Sequence, residues 1–330
     1  MILKSVLIPF FCVAAFSATK KPAGPVKTGV KKTGIQAPMS LLKPEATFEV
    51  PGSPDWIVVG DSVWVSNYPK NSVTKIDPKT NKVEAVVGVG KNPCAGLIIA
   101  FDSLWVPLCG DKAVVRVDPK SNKITATIPT TIGDSEGGIA AGADSIWLVT
   151  DKQGTLARID PATNRIVAEI ELPAGSYTPA FGEGSVWVTG TESGVVSRVN
   201  PATNLVIESI KVGPQPRFLA IGEGAVWVLN QGDGSVSKID PKTNKVEKTI
   251  EVGVPGKGGD IAVGEGSVWV TSFEFPISRI DPAKNEVVQQ FKGPGGDAIR
   301  AASGSIWLSC LAQHMEQRFD PKRIQATVPE

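Results

Sequence analysis

The chain has 330 residues, 42% hydrophobic and 20% charged, a globular composition rather than a disordered or fibrous one. With 34 basic against 33 acidic residues the net charge is +1, which gives no basis for nucleic acid or an anionic membrane as partner. A single histidine excludes any multi-histidine metal site.

Residues 1–17 read as a cleaved secretory signal: Lys4 supplies the positive start, Val6 to Phe16 the apolar stretch, and Ala15-Phe16-Ser17 the small-x-small site. The run is shorter than the ~20 residues a spanning helix needs, and no other long apolar run follows, so no membrane span is expected. The implied localisation is secreted or periplasmic. Residues 18–43 are rich in Lys, Pro, Gly and Thr without periodicity and read as a disordered basic linker. Its lysines are either simply solvated or touch an acidic envelope surface. No acidic residue precedes Glu45, so residues 44–330 are mildly acidic.

Residues 44–330 carry seven copies of one unit. Trp recurs at 64, 105, 147, 187, 227, 269 and 307, each in a phrase such as Gly264-Glu265-Gly266-Ser267-Val268-Trp269-Val270. Twelve or thirteen residues later comes Asp-Pro or Asn-Pro, at Asp77, Asp118, Asp160, Asn200, Asp240, Asp281 and Asp320. Each unit reads as four short strands. In the third, Ile166, Ala168, Ile170 and Leu172 alternate with charged residues, and Val167 breaks the pattern. The Gly-Glu-Gly-Ser phrase suits a two-residue hairpin, and Asp-Pro-x-Thr-Asn a longer one. A four-stranded sheet of ~40 residues cannot bury its faces alone. The predicted fold is therefore all-β, a seven-bladed β-propeller of four-stranded antiparallel blades, with the Trp residues in the core between sheets. No helical period is expected after the signal. Either Glu45–Val50 or Arg323–Val328 could supply the outer strand that closes the ring, and the sequence leaves that choice open.

The Gly-x-Gly-Ser-Val-Trp-Val and Ile-Asp-Pro-x-Thr-Asn-Lys-Val phrases resemble the YVTN-type propeller repeats and the related virginiamycin B lyase-like propellers. The resemblance spans about residues 44–330 and implies the propeller fold. It includes binding proteins as well as metal-dependent lyases that use a His/Glu set on one face of the ring. Three residues after each Trp this chain has Asn67, Leu108, Thr150, Gly190, Asn230, Ser272 and Cys310, none of them Glu, which argues against that chemistry.

In such a ring the innermost strands line a channel. Length variation falls between consecutive sheets, so one face is expected to carry the variable loops. Candidate ligand-binding residues at the starts of innermost strands are Asp55, Tyr177, Arg217, Asp260 and Asp297, with Glu136 beside them and Arg300 deeper. Loops after the second strands add Tyr68, Glu274 and His314. Two of these loops, 273–276 and 312–315, lack the turn residues of the others and are therefore marked as functional candidates. Arg217 and Arg300 either clamp an anion or neutralise Asp260 and Asp297. Glu274, Asp297 and His314 could form an acid/base or single-cation site. Apart from that possible divalent cation, no cofactor is indicated.

Counting outward from the hairpin at Ala100–Ser103 places Cys94 opposite Cys109, a possible disulfide in an oxidising compartment, with Cys310 left free. The function expected is a secreted or periplasmic monomer that binds a small molecule or protein partner on one face of the ring. The alternative is a lyase-like, metal-dependent lyase or hydrolase.

Overall fold

All seven Trp phrases fall on the second strand of a blade in the computed structural model, which describes residues 26–327. The seven sheets surround a central channel. Blade 4 shows the pattern, running outward from the channel as Ser176–Gly182, Ser185–Gly190, Val195–Asn200 and Leu205–Lys211, all antiparallel. Its inner hairpin turns on Glu183 and Gly184, both at positive φ (50° and 69°), the geometry that matches strand twist.

The Gly that opens the Trp phrase in blades 1, 3, 4, 5 and 6 is needed by the neighbouring blade. A Cβ on Gly182 would lie 2.7 Å from Ile221 of blade 5. The carbonyl of Gly182 accepts a hydrogen bond from Trp187 Nε1 at 3.0 Å. The same indole-to-carbonyl bond recurs from Trp105, Trp147, Trp227 and Trp269. This polar end favours Trp over Phe in blades 2 to 6, whereas Trp64 and Trp307 have no partner for Nε1 among the described residues.

A second device ties blades together. Arg198 pairs across the strands with Trp187 and stacks on its ring at 4.6 Å. Its guanidinium then crosses to blade 5, donating to Asn244 Oδ1 at 2.7 Å and to the Pro241 carbonyl. Arg116, Arg158 and Lys238 do the same, and Arg318 reaches from blade 7 to Asn81 of blade 1 at 2.9 Å. The Asp-Pro turn is thus both a hairpin and a receptor for the preceding blade. Asp240 shapes it by accepting from the Lys242 amide and the Thr243 hydroxyl, which hold its carboxyl below the usual range. Asn244 takes the left-handed φ of 58°. The break at Val167 is a β-bulge: Arg158 faces Ala168 and Ile159 faces Ile166, leaving Val167 as the extra residue, 55% exposed.

The N-terminal strand closes the ring. Ala46–Glu49 forms the outer strand of blade 7, antiparallel to Met315–Phe319. The competing C-terminal segment becomes a short helix, α1 (Pro321–Thr327), contrary to the expectation of no helix. The cause is local. Ile324 replaces the Asn that turns the other Asp-Pro phrases back into a strand, and Asp320 accepts from the Lys322 amide at the helix start. Ile324 is buried, and Gln289 of blade 6 donates to its carbonyl.

Part of the expected disordered linker is ordered. Gln36–Pro38 adds a fifth strand, parallel to Glu286–Lys292 of blade 6. The reason lies in that outer strand, which buries Val287, Val288, Gln289, Gln290 and Phe291 where the outer strands of blades 1 to 5 are largely exposed. Gln290 Oε1 accepts from the Val30 amide, and Thr28 and Gly29 amides donate to the Gly253 carbonyl. The expected signal, residues 1–17, lies outside the described residues, as do residues 18–25.

Cys94 and Cys109 form a disulfide with Cα atoms 5.8 Å apart, and Cys310 is free and buried. The two are not directly opposite as the count suggested. The ladder shifts after Ile98↔Trp105, so that Pro93 faces Leu108 and the bridge runs diagonally. Closing a loop of this length contributes about 3 kcal/mol. Reduction is therefore expected to lower the urea midpoint without unfolding the protein, and an unchanged midpoint would show a bridge without energetic role.

Candidate functional site

The channel holds two cavities separated by aromatic rings. The wider, about 1390 Å³, opens on the face carrying the inter-blade loops and the loops after the second strands. The other, about 380 Å³, is lined mainly by apolar residues of the innermost strands. Phe218 borders both, and its ring meets Trp56 edge-on at 5.8 Å and Tyr177 at 6.0 Å. Trp56 is the one Trp outside the repeated phrase. It sits on the innermost strand of blade 1, Ser53–Val59, with its side chain turned to the lower cavity.

The floor of the wide cavity is acidic. Asp55, Glu136 and Asp297 line it from blades 1, 3 and 7, with Asp134 beside them. Burial, then repulsion from Glu136 and Asp297, pushes Asp55 up to about 9. Burial, then Glu136 and Asp260, raises Asp297 to about 7. Glu136 is also raised by burial, although Arg217 opposes the shift. Near neutral pH this floor therefore holds protons that ordinary carboxyls have lost. Hydroxyls fix its backbone: Thr189 donates to the Arg217 carbonyl at 2.8 Å, and Thr271 to that of Asp297.

The two channel arginines have different partners. Arg300 forms an ion pair with Asp260 and borders the lower cavity, so of the two alternatives for Arg300 the neutralising one is seen. Arg217 has no carboxylate in ion-pair contact among the described residues. It donates to the Tyr177 hydroxyl, which in turn donates to Asp134 at 3.0 Å, and it stacks on the Tyr177 and Phe218 rings. Burial raises the Tyr177 phenol, which stays protonated.

Tyr68 stands half-exposed at the cavity rim. The Glu274, Asp297 and His314 combination does not form. Glu274 pairs with Lys27 of the ordered N-terminal segment at 3.0 Å. His314 Nδ1 contacts Ser53 Oγ at 2.8 Å and the Gly52 carbonyl, tying blade 7 to blade 1. The unusual 312–315 loop is therefore a ring-closing contact, and the 273–276 loop is a dock for Lys27, whose ammonium also sits over the Phe273 ring. Among the described residues no three His, Cys, Asp or Glu groups converge as a metal ion requires.

Sequence reasoning missed Asp134, Trp56 and Phe218. Trp56 carried a signal, as a Trp out of register with the repeat. Glu316 was also missed. It occupies the position filled by Val196 in blade 4 and Val236 in blade 5, and is fully buried. Ser309 donates to one oxygen, while the other has no partner among the described residues. Burial raises its carboxyl well above the usual range. Glu316→Leu is expected to stabilise the fold at neutral pH by about 1–3 kcal/mol, read as a higher urea midpoint. A lower midpoint would mean that the carboxyl is structurally required.

These features define a seven-bladed β-propeller whose channel is closed partway by Trp56 and Phe218 under a wide acidic cavity. The same fold occurs in a streptogramin B lyase, with 20% identity and a TM-score of 0.69, covering 82% of this chain and 96% of that one. A catalytically inactive virginiamycin B lyase from Staphylococcus aureus, solved with quinupristin, matches at 19% identity and a TM-score of 0.69, covering 83% and 98%. Kuenenia stuttgartiensis hydrazine synthase matches at 14% identity and a TM-score of 0.70, covering 84% and 97%. Likeness at these identities shows the fold alone. No protein-family model and no curated protein matches the sequence.

Proposed function

We propose that the protein is an exported binding protein that takes a small polar ligand into the wide cavity. The observation that carries this reading is the cavity itself. Its volume of about 1390 Å³ sits above an acidic floor backed by Phe218 and converges polar groups from several blades. Export is supported by the signal-like residues 1–17 and by the Cys94–Cys109 bridge, which suits an oxidising compartment. The lyase alternative has the shared fold behind it, but Glu274 and His314 are engaged elsewhere.

A thermal-shift screen of small polar metabolites tests the reading. Hits are expected to raise the melting temperature of the wild type, and to lose that effect in Ser135→Trp, which fills the cavity from its exposed lip. Hits that act equally on both proteins would place binding elsewhere. Export is tested by expressing the full chain and sequencing the mature N-terminus, expected at Ala18; an intact Met1 in the final product would remove it.

A further inference from the structure

We infer that the ligand of the wide cavity is an organic ammonium ion, seated on Asp55 between Glu136 and Asp297. This rests on the cavity being the binding site and goes on to its chemistry.

Asp55 is 9% exposed, lines the cavity, and makes no hydrogen bond or ion pair among the described residues. A carboxyl in that position is costly when ionised unless a positive group meets it. Its interacting neighbours Glu136 and Asp297 are also acidic and cannot supply one. The cations nearby are held by other groups or stand apart. Arg300 is on Asp260, and Arg217 bonds Tyr177 and stacks on two rings. Lys211 donates to the Ser193 carbonyl, and Lys257 lies on the loop beside Phe273. Arg217 opposes the upward shifts of Glu136 and Asp297, but no cation acts on Asp55, which is where the cavity lacks one.

Two observations set the size and kind of that cation. The acidic groups do not converge as a metal ion requires, so the ligand must span them. An ammonium on a carbon frame does this, directing several N–H donors to separate carboxyls. Beneath them Phe218 offers a ring to the frame or to the charge. An anion would meet the acidic floor, and a neutral ligand would leave Asp55 uncharged and unpaired.

Binding a cation there draws the floor carboxyls into their ionised form, so protons leave as the ligand enters. Affinity should therefore rise with pH from about 7 to about 9. Arg217, Asp134, Tyr177 and Glu192 line the same cavity with Lys211 and Lys257, and the Asp260–Arg300 pair lies below it in the lower channel. Burial holds the Tyr177 proton, so the proton lost is a floor carboxyl's.

The test uses the folded chain and three probes of one frame, n-butylammonium, n-butanol and butyrate, titrated at about pH 7 and about pH 8.5 and followed by amide NMR shifts. Saturable binding of n-butylammonium at ~mM levels is expected. It should tighten about threefold or more at the higher pH, with proton release into a weakly buffered solution. Asp55→Asn should weaken it about tenfold, and Glu136→Gln by a smaller factor, so that the claim survives loss of either variant to misfolding. If n-butanol or butyrate binds as tightly in the cavity, the cation assignment is overturned while the cavity reading stands. If none of the three binds, the cation assignment is overturned, and the cavity reading is decided by the metabolite screen and Ser135→Trp.

Discussion

Asp55→Asn is expected to flatten the pH dependence of stability between about pH 4 and about pH 9. The unfolded chain releases the Asp55 proton near its ordinary 3.8, whereas the folded protein keeps it to about 9. Between those values the native state binds one more proton than the unfolded state, so stability falls as pH rises. The contribution is fully present below about pH 4 and has gone above about pH 9. Its size is on the order of 7 kcal/mol, the span from 3.8 to about 9 at about 1.4 kcal/mol for each tenfold change. The asparagine cannot ionise, and it also relieves Glu136 and Asp297 of a charged neighbour. The variant should therefore match the wild type near pH 4 and exceed it increasingly towards pH 9. Urea midpoints across that range measure this. Parallel curves for the two proteins would mean that Asp55 is not held in an uncharged state.

The second large effect concerns the ring. Trp187 is fully buried, and Trp187→Ala should cost about 4 kcal/mol, through lost burial and the cavity left between blades 4 and 5. The loss exceeds simple burial because Arg198 stacks on that ring while it holds the Pro241–Asn244 turn. A finer comparison separates packing from polarity. Trp187→Phe removes the bond to the Gly182 carbonyl, whereas Trp64 Nε1 has no partner among the described residues. Trp187→Phe should therefore cost about 1 kcal/mol more than Trp64→Phe. Equal urea midpoints for the two would remove the indole bond from the explanation.

The fold was legible because its rules repeat. The Trp spacing, the hairpin before each Trp and the Asp-Pro or Asn-Pro turn each express a local constraint that seven copies make unmistakable. Even the anomaly at Val167 corresponded to a physical feature, the bulge that lets it face solvent. Departures from the repeat were harder to read. Ile324 in place of Asn turned the C-terminal segment into a helix, and apolar and amide side chains on the outer strand of blade 6 drew in Gln36–Pro38. Both signals were present as substitutions within a repeat, but their meaning depends on which segment arrives to cover them.

The site was legible in outline for a similar reason. Position along an innermost strand places Asp55, Tyr177, Arg217 and Asp297 around one cavity. Pairing between blades depends on side-chain reach, which the sequence does not carry. Arg300 therefore belongs with Asp260 in the lower channel, and His314 with Ser53 across the ring closure. Glu274 looked available because its partner, Lys27, lay in a segment expected to be disordered.

The most direct measurement is the titration of the Asp55 side-chain carboxyl by carbon-detected NMR, assigned by its loss in Asp55→Asn. A midpoint near 9 that falls when n-butylammonium is added is the expected result. A midpoint near 4, unmoved by the amine, would contradict both the unpaired acidic floor and the ligand assigned to it.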